Sequence, residues 1–415
     1  MIGHRLFERS HRSLRLAASA ALLAACAALL TTCVALPVGK LAAADQPIAS
    51  RQWQSRNGKY SLDAKLIDLN EGKVVLRRAD GKQIEVAIGS LSEQDRDYIR
   101  QWQQQLADDP PAGQTTAVAG GPTYGNDSTV RVKLGVEISA PAGGFRKLVA
   151  TFPLPGEWPE QSVRIVAQEF SADVGKVQIH TLAGGVQQAE VHIPRLAAGQ
   201  TVRAVYVLDV QRRWTYAPAD PEIFVVPRRL PRDVRRYLEP SPSIETNHRE
   251  IKKVAAQFAL DSHKPAWPQV EAIYGWVRDH IRYEQGTIPL RGALAALRQQ
   301  TGDCEEYTSL FVALCRVNGI PARSVWIPGH TYPEFYLQDP QGQGYWFPCE
   351  SLGDYSFGRL HRHHVVLQKG DRFKMSQKKE LQRYVSETLT GWPEGGGDGL
   401  PVLRPVREFA ASEVP

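Results

Sequence analysis

The sequence predicts a multidomain chain: an apolar leader, a small β-barrel, an antiparallel β-sandwich and an α+β domain that carries a thiol site. Three observations predict it. Short strand runs broken by turn sequences fill residues 51–100, and longer alternating runs recur between 126 and 228. Beyond 235 the spacing becomes helical, and one helix opens on a cysteine and is followed by a strand hairpin. A chain of 415 residues is also too long for one hydrophobic core.

Residues 1–44 read as a signal peptide or a membrane or lipid anchor. Arg5, Arg9, Arg12 and Arg15 precede an apolar stretch from Leu16 to Val38, and Ala42-Ala43-Ala44 before Asp45 is a signal-peptidase type site. Leu23-Ala24-Ala25-Cys26 also fits a lipobox, with Cys26 as the lipidated residue, and residues 16–38 are long enough to span a bilayer. The expected location is therefore the periplasm or cell envelope, with soluble export ranked ahead of anchoring. Five basic residues and one acid in 1–44 carry +4 of the formal +6, which leaves +2. That balance gives no support to nucleic-acid binding. Only Cys304, Cys315 and Cys349 lie beyond the leader, an odd number that excludes a disulfide framework.

In the barrel, Tyr60 to Leu66, Lys73 to Arg78 and Gln83 to Ile88 are strand runs separated by Asn70-Glu71-Gly72 and Asp80-Gly81. Leu91-Ser92-Glu93-Gln94-Asp95 then opens a short helix. Residues 104–125, with Asp-Asp-Pro-Pro and Ala-Gly-Gly-Pro, have linker composition. The sandwich follows over 126–228. Val130, Val132, Leu134, Val136 and Ile138 alternate with polar residues, and further runs at 147–152, 162–168, 176–182, 186–193 and 201–210 suggest about seven strands. Residues 391–415 are rich in glycine and proline and are expected to be a disordered tail.

The α+β domain over 235–385 carries the chemistry. Tyr307, Leu310, Phe311, Leu314 and Val317 recur at helical spacing, Asp303 can cap the start, and Gly319 with Pro321 ends the helix. Cys304 thus lies in the first turn, where unpaired N–H groups and the helix dipole favour a thiolate. His330 to Leu337 and Tyr345 to Glu350 flank a turn at 339–344. A hairpin centred near 340 or 341 sets His330 within about one rung of Glu350. Glu350 would then orient the imidazole, His330 would act as base and acid, and Cys304 as nucleophile. Cys315 lies about 16 Å along the same helix and is expected in the core. Cys349 should point away from a site that Glu350 faces. The cluster His361, His363 and His364, beside Arg359 and Arg362, reads as a solvated basic loop, and no metal or other cofactor is expected.

These segments carry two resemblances. GDCEEYTSLFVALCRVNGIPAR, GHTYPEFYL and YWFPCES, in that order within about 240–375, resemble the transglutaminase-like superfamily of papain-related thiol enzymes. The resemblance implies an α+β papain/transglutaminase-like catalytic core with Cys304, His330 and Glu350 as its catalytic residues. Glu350 stands where Asp is usual, and Thr331-Tyr332 replaces a small residue and Trp. It also implies an aromatic or amide oxyanion donor upstream, for which Tyr283 and Trp267 are the candidates. The sandwich is expected to buttress this core or wall its cleft. Separately, Arg51-x-Trp53, Asn57-Gly58-Lys59-Tyr60, Val74-x-Leu76, Asp80-Gly81-Lys82 and Leu91-Ser92-x-x-Asp95 resemble the SLA-type homology domain one over 51–103. That resemblance implies an SH3-like barrel able to take a short peptide ligand.

The leading expectation is an exported thiol enzyme acting on amide bonds of a protein or peptide substrate through a thioester. Peptidase or amidase chemistry is preferred to acyl transfer, because nothing resembles the calcium loops of animal crosslinking enzymes. The alternative is a non-catalytic, cytoskeletal-type adaptor that binds peptides through its first domain.

Overall fold

The computed structural model describes residues 50–411 apart from 71–72, 79–81, 109–119, 228, 262–263, 285–289, 354, 376–377 and 396–398. The leader with Cys26, the turn residues Glu71, Gly72, Asp80 and Gly81, and the middle of the expected linker lie outside the described residues. Among the described residues, no helix is long and apolar enough to cross a membrane.

Four strands, β1 (Arg51–Gln54), β2 (Ser61–Asn70), β3 (Lys73–Arg78) and β4 (Gln83–Ala87), pair in sequential antiparallel order, and α1 (Glu93–Asp108) follows. Asp95 explains the Ser92-x-x-Asp95 signature. Its carboxylate accepts from Ser92 Oγ at 2.8 Å, from the Gln54 amide at 2.7 Å and from Arg51 at 2.8 Å, tying the helix start to β1. Trp53, Leu66, Val74, Leu76, Leu91 and Ile99 form the core of this SH3-like unit. Trp53 keeps its indole N–H satisfied on the Ala64 carbonyl at 3.0 Å. The helix continues past 104, so it takes up the first residues assigned to the linker.

The sandwich begins with β5 (Thr123–Ser139), β6 (Gly144–Leu154), β7 (Gln161–Phe170), β8 (Val177–Thr181), β9 (Gln187–Leu196) and β10 (Thr201–Tyr216). Every second residue of β5 from Val132 to Ile138 is buried, beside its cross-strand neighbours Val202, Ala204, Tyr206 and Leu208 of β10 in the same sheet and packed with Leu148, Ala150 and Phe152 of β6 in the other.

The third region comprises α2 (Arg232–Arg235), α3 (Arg249–Ala255), α4 (Ala266–His280), β11 (Arg282–Tyr283), α5 (Gly292–Gln299), β12 (Thr301–Gly302), α6 (Cys304–Val317), β13 (Ala322–Ile327), β14 (His330–Gln338), β15 (Gly344–Pro348) and β16 (Gln368–Lys369). The last four strands form one sheet ordered β15-β14-β13-β16. Its apolar face, with Phe335 and Leu337, packs on Leu310, Phe311 and Leu314 of α6, which the predicted helical spacing set on one side. At the far end of α6, Arg316 is fully buried and pairs both oxygens of Asp371 at 2.8 Å. Removing either partner would strand a buried charge, at a cost of about 3–5 kcal/mol.

Two parts of the expected disordered tail, 391–394 and 402–411, are strands. β17 (Thr388–Glu394) pairs with β6 and β18 (Val402–Ala411) pairs with β5, so the two sheets read β17-β6-β9-β8 and β18-β5-β10-β7. Both added strands are edges. Proline there loses no ladder bond, so Pro393 and Pro405 are compatible with pairing. Among the described residues the sandwich thus has eight strands, two of them following the α+β region in the chain.

Candidate active site

The helix start that presents Cys304 is tightly specified. Asp303 caps α6 by accepting from the Glu305 amide at 2.8 Å, and the Glu306 carboxylate reaches back to the Asp303 amide at 3.2 Å, completing a capping box. Glu306 also accepts from the Arg291 amide at 3.0 Å. Cys304 is half-buried and lines a cleft of about 500 Å³. Trp326 to His330 form the core side of the cleft, and Leu134, Phe152, Val406 and Phe409 of the sandwich face them. Tyr384 to Glu387 close a third side.

His330 opens β14 and lies on the same cleft. The hairpin register, with Glu334 opposite Pro348 and Leu337 opposite Tyr345, centres the turn at residue 341. Continued past Pro348, it sets Glu350 across from Tyr332, one rung from His330 on the same face. His330 Nε2 and Glu350 Oε1 are 2.7 Å apart, with both side chains almost fully buried. Burial by itself would raise the Glu350 carboxyl, but Arg362 and His330 pull it down to about 2. An ionised carboxylate only accepts, so His330 carries its proton on Nε2 and donates it to Glu350.

Further along the same strand face, Glu334 pairs with Arg323 at 2.8 Å and with Lys369 at 2.5 Å. Lys369 also reaches Glu160, at the start of the sandwich's β7, at 2.6 Å. Burial opposes ionisation of Glu160, yet Lys369 and Arg212 bring it to about 2. This buried chain of charges fixes the core against the sandwich beside the cleft.

The sequence reading missed Arg362, and it misjudged the residues around it. The loop 359–364 is not a solvated basic loop. His361 and His363 stack on Trp214 with ring centroids 4.9 and 5.4 Å apart, and burial drives His361 and His364 down to about 4. Arg362 is buried and places Nη2 2.8 Å from Glu350 Oε2. The signal lay in the lone pair that Glu350 had left after accepting from His330, but nothing local identifies the partner. Among the described residues, no group of three or more histidine, cysteine or acidic side chains is arranged to hold a metal ion.

The two proposed oxyanion side chains do not line this cleft. Trp267 belongs to an aromatic core with Phe335, Phe347 and Phe357, at centroid distances of 5.5, 5.1 and 5.1 Å. Tyr283 is 55% exposed and pairs through its backbone with Gly302, two residues before Cys304. Cys315 and Cys349 are fully buried in the core, and burial pushes both thiols up.

Residues 252–351 match the transglutaminase-like superfamily, and residues 35–106 match SLA1 homology domain 1. One curated relative, the actin cytoskeleton-regulatory complex protein SLA1 of Vanderwaltozyma polyspora, is 42% identical over 53 residues. That match spans 13% of this chain and only 4% of the relative's length. Among solved structures, a candidate cysteine protease from Cytophaga hutchinsonii superposes with a TM-score of 0.47 at 16% identity, covering 71% of this chain and 94% of that one. The periplasmic domain of TgpA from Pseudomonas aeruginosa bound to ethylmercury gives 0.27 at 11% identity, over 56% and 90% of the two chains.

Proposed function

We propose that this chain, with its transglutaminase-like core and SLA1 homology domain 1, is an exported thiol hydrolase that cleaves amide bonds in protein or peptide substrates. The observation that carries the reading is the buried His330–Glu350 contact of 2.7 Å on a cleft that also exposes Cys304 at a capped helix start. With Nε2–H committed to Glu350, Nδ1 is the nitrogen that takes the thiol proton. The thiolate attacks the amide carbonyl, and the Cys304 backbone N–H stabilises the negative charge on oxygen. The imidazolium returns its proton to the departing amine, leaving a thioester. Water, deprotonated by His330, then releases the acid and restores the thiol.

Water is assigned as acceptor ahead of a lysine amine. Export rests on the arginine-led apolar leader and the Ala42-Ala43-Ala44 site, with cleavage ranked before lipidation of Cys26 or retention of residues 16–38. The match over residues 35–106 supports a peptide-docking role for the first domain and keeps a non-catalytic adaptor as the second reading.

One experiment separates the readings. One sample of the full chain is treated with iodoacetamide near neutral pH and mapped by mass spectrometry, and a separate unalkylated sample is incubated with a mixed peptide library plus a tagged primary amine. The enzyme reading expects Cys304 to label ahead of Cys315 and Cys349, and new peptide termini to form without incorporation of the tag. Incorporation of the tag would reassign the chain to acyl transfer. Slow labelling of Cys304 with no product would leave the adaptor.

A further inference from the structure

We infer that Arg362 is a positioning residue of the active site, acting on His330 through Glu350 and not on the substrate. The inference rests on the proposed function of Cys304 and His330. Glu350 divides its oxygens: Oε1 takes His330 at 2.7 Å and the Leu352 amide at 3.4 Å, and Oε2 forms an ion pair with Arg362 at 2.8 Å. A buried carboxylate held by histidine alone has one oxygen unsatisfied, and it can rotate or take up a proton. Once protonated it becomes a donor and no longer dictates which ring nitrogen carries hydrogen. The guanidinium removes both freedoms. It also anchors the extra methylene of glutamate, so the longer side chain does the work of the usual aspartate without added mobility.

Arg362 is itself held. Leu360 exchanges two backbone hydrogen bonds with Thr215 at 2.8 and 2.9 Å, and Arg212 Nε donates to the His364 carbonyl at 2.8 Å. Between those fixings, His361 and His363 stack on Trp214. Strand β10 of the sandwich thus delivers the arginine to a carboxylate that β15 leads into. On the Glu350 backbone, the Tyr274 hydroxyl donates to the carbonyl at 2.7 Å and Arg278 donates at 3.3 Å. Among the described residues, His364 and Tyr332 are further titratable groups close enough to interact with the carboxylate, and Cys304 shares the cleft with His330.

The test compares full-length Arg362→Gln and Arg362→Lys with the parent. The readouts are kcat, KM, the pH profile of kcat/KM, and the imidazole ¹⁵N signals that report the His330 tautomer. Arg362→Gln is expected to lower kcat about tenfold or more with KM within about twofold. Without the cation Glu350 protonates at higher pH, so the acid limb of the profile should move up by about one unit or more. His330 should lose its uniform Nε2–H form. Arg362→Lys should restore most of kcat and return the acid limb. Unchanged tautomer and acid limb in a folded Arg362→Gln protein overturn the inference, as does equal loss in both variants with only thermal stability affected. The tautomer measurement needs no turnover. A parent that holds the Nε2–H form but cleaves nothing would sink the functional proposal and leave the role of Arg362 standing.

Discussion

The stretch 304–350 and the loop 359–364 meet on the same carboxylate, yet they are built in opposite ways. Cys304, His330 and Glu350 come from one helix, one hairpin and one register, so short-range pattern sets their places. The loop has no regular structure of its own and takes its shape from β10, about 150 residues earlier, where Arg212 to Tyr216 supply its hydrogen bonds and stacking surface. The three candidate site residues are thus placed locally, while Arg362 beside Glu350 is placed by distant chain. Substitutions in the first region should strike chemistry at little cost in stability, and changes in the second should strike stability and pH response first.

The largest effect belongs to Cys304→Ala. Turnover should vanish while stability stays within about 1 kcal/mol, because a half-buried first-turn residue contributes little packing. Full activity in this variant would remove the local region from the chemistry. Glu350→Gln comes next. Its amide has one acceptor oxygen for two donors, so either His330 or Arg362 would meet an NH2 group instead of an oxygen, and turnover should fall on the order of a hundredfold. A change under about threefold in steady-state assays would show that the carboxylate does not orient the base.

Deleting residues 45–120 tests the distant support. The sequence alone predicts a separable barrel whose loss spares small-substrate cleavage, but Trp214 and Tyr216 share the barrel's buried cluster. Exposing them should cost about 2 kcal/mol or more and loosen the loop that carries Arg362. Chemical denaturation would detect it, and full stability in the truncated protein would restore the separable picture.

At neutral pH a smaller effect still is expected from a pH dependence, which grows only as the medium turns acid. His361 and His364 titrate near 4 in the folded chain against about 6.5 unfolded, so the unfolded state binds more protons between those values. Stability is complete above about pH 6.5 and declines as pH falls toward 4, by up to about 3 kcal/mol per histidine. His361→Phe keeps an aromatic ring against Trp214 and should flatten part of that decline. An unchanged thermal midpoint profile would show that the ring is not buried uncharged.

What was legible follows the same division. The α6 cap, its apolar face, the hairpin centre and six sandwich strands each rest on periodicity or turn chemistry within a dozen or so residues. Arg362 was read as solvated because charge-rich sequence ordinarily is, and its buried partner is fixed only by tertiary packing. The final strands were read as disordered because Pro393, Pro405 and the glycines between them argue against a central strand, and composition cannot say that a strand will be an edge. Tyr283 and Trp267 are candidates only through the resemblance, as aromatic side chains upstream of Cys304. The aromatic packing of Trp267 depends on Phe335, Phe347 and Phe357, which lie well downstream.

The pairing of β18 with β5 has a consequence for the order in which this molecule matures. Leu134 waits for Arg407 and Gly135 for Val406, and the cleft beside Cys304 is walled in part by Val406 and Phe409. During synthesis the capped helix and its hairpin can form as soon as residue 350 is available, but the trough that would hold a substrate remains open on one side until residues 402–411 arrive. Contacts of such long separation form late. The groove beside Cys304 is therefore completed only by a strand far downstream of the thiol.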